Sequence, residues 1–159
     1  MNLYDEFFTL VEHLENRSIP YAVIGGIAMA FHDLPRFTKD IDLLIAPPDL
    51  DEIRALFESL GYFESSDPWT FRNTKATLYR FAKTQEQDYL VVDVVVGHEQ
   101  RHRDIIEQAV VEGSEAGPVP IARKEDLIWL KQLRNSDQDQ VDIRRLSDDE
   151  DRTGSERTE

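Results

Sequence analysis

The sequence predicts an α/β (α+β) domain: a central mixed β-sheet flanked by helices, with further helices at the C-terminal end. Three observations carry that expectation. Apolar residues recur at helical spacing near both ends of the 159-residue chain. Segments rich in β-branched residues, or alternating in polarity, cluster in the middle. Helical and extended segments alternate over the first hundred residues, an order that layers helices on a sheet.

The elements follow in order. Leu3, Phe7, Leu10, Val11 and Leu14 fall on one face of a helix over residues 3–15. After Pro20, the apolar run Tyr21–Ile24 reads as a buried strand. It meets Gly25-Gly26, and residues 27–31 read as the first turns of a helix that Pro35 breaks. Residues 40–45 form the next strand, closed by Pro47-Pro48. Asp49 or Asp51 is placed to cap a helix running to Leu60, with Gly61 as its stop. Residues 62–88 are less regular, apart from an alternating strand over 76–82. Residues 89–96 are rich in valine and read as a central strand. A helix is expected over 98–111, a short strand over 119–121, and helices over 124–133 and 138–146.

Composition narrows the function. The chain carries 18 basic and 32 acidic residues, a net charge of -14. Such a surface does not suit sequence-independent nucleic-acid binding, which rests on Lys and Arg neutralising phosphates. From Asp148 onward six acids stand against two arginines with no large apolar residue, so residues 148–159 are expected to be a disordered acidic tail on a single domain spanning 1–147. There is no cysteine, which excludes thiolate metal sites and disulfides. No apolar run reaches the ~20 residues of a membrane helix, and the N-terminus has no signal-peptide pattern. A cytoplasmic, bacterial-type protein is the expected setting.

The chemistry centres on Asp40 and Asp42. Residues two apart on a strand share a face, so the two carboxylates stand together while Ile41 turns into the core. Close carboxylates resist ionising together, and a divalent cation relieves the conflict. Magnesium takes oxygen ligands and keeps phosphate and water in its shell. Asp93, inside the apolar strand, is costly to bury unless paired or metal-bound. The Gly25-Gly26 turn lets backbone approach phosphate. Arg36, Thr38 and Lys39 add a polar, cationic approach to the same strand.

Residues 25–45, GGIAMAFHDLPRFTKDIDLLI, resemble the signature of the DNA polymerase beta-like nucleotidyltransferase superfamily: a glycine turn, a helix, then an acid-x-acid strand, with a third acid on a later strand. The pattern is similar to the small bacterial branch that holds aminoglycoside and lincosamide nucleotidyltransferases and abortive-infection toxins. Val119–Ala122 with Asp126–Lys131 resembles its "P-x-x-x-x-x-L-x-x-x-K" helix, and Arg134–Asp139, Asp142 and Leu146 resemble its "R-x-K-D-x-x-D-x-x-x-L" ending. Ser136-Asp137-Gln138 departs from it where a lysine often stands.

The resemblance implies a nucleotidyltransferase fold and a magnesium-dependent enzyme that moves a nucleoside monophosphate from an NTP to an acceptor hydroxyl, releasing pyrophosphate. It implies two magnesium ions, or manganese in their place, on Asp40, Asp42 and Asp93, with Asp93 also helping to deprotonate the acceptor. Gly25, Gly26, Arg36, Thr38, Lys39 and Lys131 become the nucleotide-binding candidates. The acceptor is a small molecule, a protein or an RNA end, with RNA disfavoured by the net acidity. A protein partner or a second copy could complete so small a chain. The alternative within the same fold is a non-catalytic nucleotide-binding protein or one partner of a toxin–antitoxin pair. A structural interaction protein would instead leave the three acids far apart.

Other residues carry blander expectations. His32 is read as packing or capping. His98, Arg101, His102 and Arg103 form a solvated helix face. Trp69, Phe71 and Trp129 are read as core, and Arg144 and Arg145 as surface.

Overall fold

The computed structural model describes the backbone of residues 1–157 and the side chains of residues 1–150. Helix α1 (Leu3–Asn16) is capped by Asn2, whose side-chain oxygen accepts from the amides of Tyr4 and Asp5 at 2.9 and 3.1 Å. It buries Phe7, Leu10, Val11 and Leu14, the face its spacing predicts. Then come β1 (Ala22–Ile24), α2 (Gly25–Phe31) and β2 (Asp40–Ile45). A turn of 3-10 helix at Pro47–Asp49 leads into α3 (Leu50–Ser59). Asp49 holds the cap position of α3 without a side-chain capping bond.

Residues 62–88 contain two short strands the sequence reading did not resolve, β3 (Phe63–Glu64) and β4 (Trp69–Thr70), before β5 (Ala76–Gln85). The long hairpin partner β6 (Asp88–Gly97) follows. Helix α4 covers Gln100–Glu107 only. The helix expected to continue to residue 111 gives way to β7 (Val110–Glu112), because those residues pair with β8 (Val119–Ile121). Helix α5 (Lys124–Arg134) ends where Asn135 adopts a left-handed φ of 51°. Helix α6 runs over Asp137–Arg157, longer than the expected 138–146. It crosses much of the segment expected from Asp148 to be a disordered tail, whose last residues, 158–159, lie outside the described ones.

The strands form one mixed sheet in the order β3-β5-β6-β2-β1-β8-β7, with β4 also paired to β5. β2 runs parallel to β6 and antiparallel to β1; β5 and β6 are antiparallel. Pleating sorts side chains onto two faces. One face carries Ile41, Leu43, Val92, Val94 and Phe81 into the core, where the Phe57 ring of α3 meets Phe81 edge-on at 5.0 Å. The other carries Asp40, Asp42, Asp93 and Arg80 and faces α5. Among the described residues no helix is long and apolar enough to cross a membrane.

Candidate active site

Parallel pairing sets Asp42 directly beside Asp93, so the two strands bring the sequence-predicted acids onto one patch. Asp40 lies two residues before Asp42 on the same face. No hydrogen bond or ion pair reaches the carboxylates of Asp40 or Asp42 from the described residues. Loss of surrounding water, then the negative charges of Asp93 and Asp40, push the Asp42 carboxyl up to about 7; Arg134 and Lys131 pull the other way. Asp40 is raised too, by desolvation and then by Asp93.

Asp93 differs. Arg80, its cross-strand neighbour on β5, donates from Nε to Oδ1 at 2.8 Å and from Nη2 to Oδ2 at 3.1 Å. This two-point ion pair engages both oxygens of a carboxylate that is 6% exposed. Arg80 in turn lies over Trp69, 5.3 Å from the ring centroid, and Trp69 is exposed rather than core.

The glycine turn abuts the acids. Gly25 has φ +70°, and a Cβ there would lie 2.2 Å from an Asp42 oxygen. At Gly26 a Cβ would fall 2.7 Å from Thr38. The turn therefore holds its backbone against both the carboxylate and the segment carrying Arg36 and Thr38.

A cationic wall faces the acids from α5. Lys131 is 4% exposed and donates to Asp142 Oδ2 at 3.0 Å. Arg36 donates from Nε to both oxygens of the same Asp142 at 3.1 Å, and Gln138 donates to it at 2.8 Å. Arg134 makes a two-point pair with Asp139 at 2.7 and 2.6 Å, and Ser136 adds bonds from its amide and hydroxyl. Burial alone would raise the Asp139 carboxyl, but these donors more than offset it and hold it down at about 2.

Of the nucleotide-binding candidates, Gly25, Gly26, Arg36, Thr38 and Lys131 thus gather around Asp42. Lys39 stands apart: it is exposed, with its ammonium 5.9 Å from the Phe37 ring centroid, though its charge still favours ionised Asp40. His32 donates from Nε2 to the carbonyl of Ala122 at 2.7 Å, in keeping with a packing role.

The donor set suits a hard cation. Among the described residues no cluster of three or more His, Asp or Glu is disposed to hold a metal ion as it stands. Two unengaged carboxylates nevertheless match the usual magnesium arrangement, in which one or two carboxylates share the ion with substrate phosphate and water. Asp93, expected as a third ligand, has both oxygens held by Arg80.

A family model described as nucleotidyl transferase AbiEii toxin, type IV TA system, matches residues 11–148. The chain belongs to this nucleotidyltransferase family. No curated protein matches it. Among solved structures, it is similar to a putative nucleotidyltransferase from Thermotoga maritima, with a TM-score of 0.61 and 12% identity over 92% of this chain and 93% of that one. It is also similar to the antibiotic-resistance factor ANT(2'')-Ia, with a TM-score of 0.50 and 14% identity over 99% of this chain and 97% of that one. At such identities the likeness is one of fold. It agrees with the superfamily that residues 25–45 resemble.

This nucleotidyltransferase-family site contains residues the sequence reading missed. Arg80 had a readable signal: it and Asp93 are equidistant from the Glu86-Gln87 turn of one hairpin. Asp139 and Asp142 sat in the motif-like ending without an assigned part. His102, expected on a solvated face, is fully buried and lines the cleft between the sheet and α5. Arg101 and Arg103 of the same helix are exposed as expected.

Proposed function

We propose that this chain transfers a nucleoside monophosphate from an NTP to an acceptor hydroxyl and releases pyrophosphate. The observation that carries the reading is the pair of unengaged carboxylates, Asp40 and Asp42, of which Asp42 packs against the Gly25 turn and feels the positive charges of Arg134 and Lys131. Acids without partners are costly beside one another and are retained where a cation and its anionic cargo neutralise them.

Asp40 and Asp42 would hold magnesium or manganese, and Asp93 would complete a second ion site once Arg80 lets go. Bound there, the ions would neutralise phosphate charge and activate the attacking and leaving oxygens. The remaining work falls to the protein. The Gly25 and Gly26 backbone, packed against Asp42 and Thr38 where a Cβ would clash, would approach the triphosphate. Lys131 and Arg134 hold positive charge opposite the acids, kept in place by Asp142 and Asp139. They would steady the phosphates and the departing pyrophosphate. Once freed from Arg80, Asp93 would draw the proton from the acceptor hydroxyl.

The acceptor remains open among a small molecule, a protein and an RNA end. The acidic body favours a cationic acceptor over RNA. The family description supports a toxin held in check by an antitoxin partner.

The test is transfer of label. Incubation with α-³²P-labelled NTPs, magnesium and cell extract should leave label on an acceptor, whereas γ-³²P should not transfer. Asp42→Asn should abolish the signal. Absence of α-label on any acceptor, with intact magnesium-dependent NTP binding, would instead identify the non-catalytic nucleotide binder of the same fold.

A further inference from the structure

The sheet ends on an open strand. β7 lies last in the strand order, with β8 on one side and no strand on the other. All three of its residues are exposed, Val111 at 63% and Val110 at 41%. The hairpin decides which backbone groups face outward. Ser114 and Gly117 exchange both amide–carbonyl bonds at 3.1 Å across the turn, and the Ser114 hydroxyl also donates to the Gly117 carbonyl at 2.6 Å. Bonded and non-bonded pairs alternate along an antiparallel ladder. Glu112 with Val119 and Val110 with Ile121 are therefore the bonded pairs. Val111 stands opposite Pro120, which has no N–H to offer. The N–H and C=O of Val111, and those of Gly113 two residues on, point to the open edge. Among the described residues nothing pairs with them.

β7 leads directly into a groove. Glu115 and Ala116 of the turn form one wall, and Asp5, Phe8 and Glu12 of α1 the other, around about 550 Å³ of open space. Phe8 and Ala116 make part of the lining apolar; the charge is all of one sign, since no basic residue lines the groove. Asp5, Glu12 and Glu115 are exposed, as is Glu112 on β7. None of these four carboxylates has a hydrogen bond or ion pair among the described residues. The opposite edge of the sheet is finished differently: Glu64 of β3 is neutralised by Arg54 at 2.6 Å. An edge with unpaired backbone and exposed valine is a template for a further strand.

We propose that β7 is a docking edge for an extended, basic segment of a partner protein, which adds to the sheet as another strand and turns lysine or arginine side chains towards Glu112, Glu115 and the acids of α1. Recognition of this kind takes its affinity from main-chain hydrogen bonds and its specificity from side chains. Val111 and Gly113 are two residues apart, so their outward groups repeat at about 6.6 Å, the two-residue period of a pairing strand. Charge selects the occupant. A second copy pairing edge to edge would bring Glu112 and Glu115 close to the same acids of its twin, on a chain of net charge -14. A basic segment gains from the charges that repel a second copy.

The docking edge is separate from the acids of β2. β1 and β8 lie between β2 and β7, which puts the two strands about 14 Å apart at about 4.8 Å per strand. The inference therefore stands whether or not the chain transfers nucleotides. It also accounts for the turn: the bonds of Ser114 to Gly117 hold the end of β7 in strand geometry before any partner arrives, so little ordering is left to be done on binding.

The test uses capped synthetic peptides: Lys-Val-Lys-Val-Lys-Val-Lys, its counterpart with glutamate for every lysine, and the lysine peptide with proline for its central valine. Amide hydrogen exchange of the wild-type protein, read by NMR, should be slow at Val110 and Glu112 and fast at Val111 and Gly113. The lysine peptide should slow Val111 and Gly113 by about ten-fold or more, and the other two peptides should not. Val111→Pro deletes an outward N–H that the β7–β8 ladder does not use, and should weaken the lysine peptide by about ten-fold in isothermal titration. Glu12→Lys combined with Glu115→Lys should weaken it by a similar factor and flatten its salt dependence. A lysine peptide that binds no tighter than the other two, or that binds while Val111 and Gly113 stay unprotected, overturns the proposal. So does concentration-dependent dimerisation in analytical ultracentrifugation that itself protects Val111 and Gly113, because a second copy would then be the occupant. The exchange measurement is made on wild-type protein and decides the matter even where a variant does not fold.

Discussion

Two groups of acids meet across the cleft, and they are treated in opposite ways. Asp139 and Asp142 of α6 are fully buried and saturated with donors from Arg134, Ser136, Lys131, Arg36 and Gln138. Asp40 and Asp42 of β2 have none among the described residues. The carboxyl of Asp139 is held down at about 2, that of Asp42 pushed up to about 7. The first group spends its charge fixing other side chains. The second stands without such donors, its carboxyls pushed up by burial and by the charge of neighbouring acids. Asp93 stands between, lodged among the acids of the sheet yet satisfied by Arg80.

The largest expected effect separates the two groups by stability. Asp142→Ala strands Lys131 and partly buried Arg36, and should cost about 3–5 kcal/mol, the range for breaking a buried ion pair. Urea unfolding monitored by tryptophan fluorescence measures it. Asp42→Asn should leave metal-free stability unchanged or raised, because it removes a repelled charge, while weakening magnesium-dependent NTP binding on the order of 100-fold. Equal destabilisation by both variants would erase the contrast.

Much of this architecture was legible in the chain. The strand over 40–45 and the valine-rich strand ending near residue 96 could be read because β-branched, two-residue patterns sit between clear breakers. Helix α1 was equally plain. What failed depended on distant partners. Nothing local separates Val110–Glu112 from the end of α4; only pairing with β8 makes it a strand. The triplet of acids was visible, but the difference among them was not. Arg80 alternated innocently along a strand, and hairpin register alone delivers it to Asp93. His102 looked like one polar residue in a basic helix, and Gly97, five residues earlier, is what admits its ring to the interior.

The pH dependence should expose the same contrast. The folded Asp42 carboxyl sits above its ordinary value, so between about pH 4 and 7 the folded state binds more protons than the unfolded one. The Asp42 contribution to metal-free stability therefore falls as pH rises through that window. Asp139 has the opposite sign: its contribution is present above about pH 4 and is lost as pH falls through about 2. Because a proton and a cation compete for Asp42, magnesium affinity should climb by up to about ten-fold per pH unit below pH 7 and level off above it. Thermal melts with and without magnesium at pH 5, 6, 7 and 8 check the Asp42 slope and the magnesium dependence, and melts at pH 2, 3 and 4 check the Asp139 slope. A magnesium-induced rise in Tm equal at pH 5 and 8 would count against Asp42 as a ligand.

A smaller change should come from the intermediate case. Arg80→Gln frees both oxygens of Asp93 and removes a positive charge beside Asp40 and Asp42. Magnesium affinity by titration should increase several-fold, on the order of one charge-assisted interaction. An unchanged or weaker affinity would mean that Asp93 takes no share of the ion.

The smallest effect reaches the acids at one remove. Trp69 touches none of them; its half-exposed ring lies under the Arg80 guanidinium. A cation–π contact at an exposed site is worth about 0.5–1 kcal/mol. Trp69→Ala should therefore loosen Arg80 without removing its charge, leaving the two-point pair with Asp93 formed but easier to exchange. Magnesium affinity should rise by roughly two- to five-fold at most, in the same direction as Arg80→Gln and below it, and combining the two changes should add nothing, since the ring acts only through the arginine. Additive effects in the double variant would show that Trp69 bears on the ion by a route of its own, and the graded series from saturated Asp142, through guarded Asp93, to open Asp42 would lose its middle term.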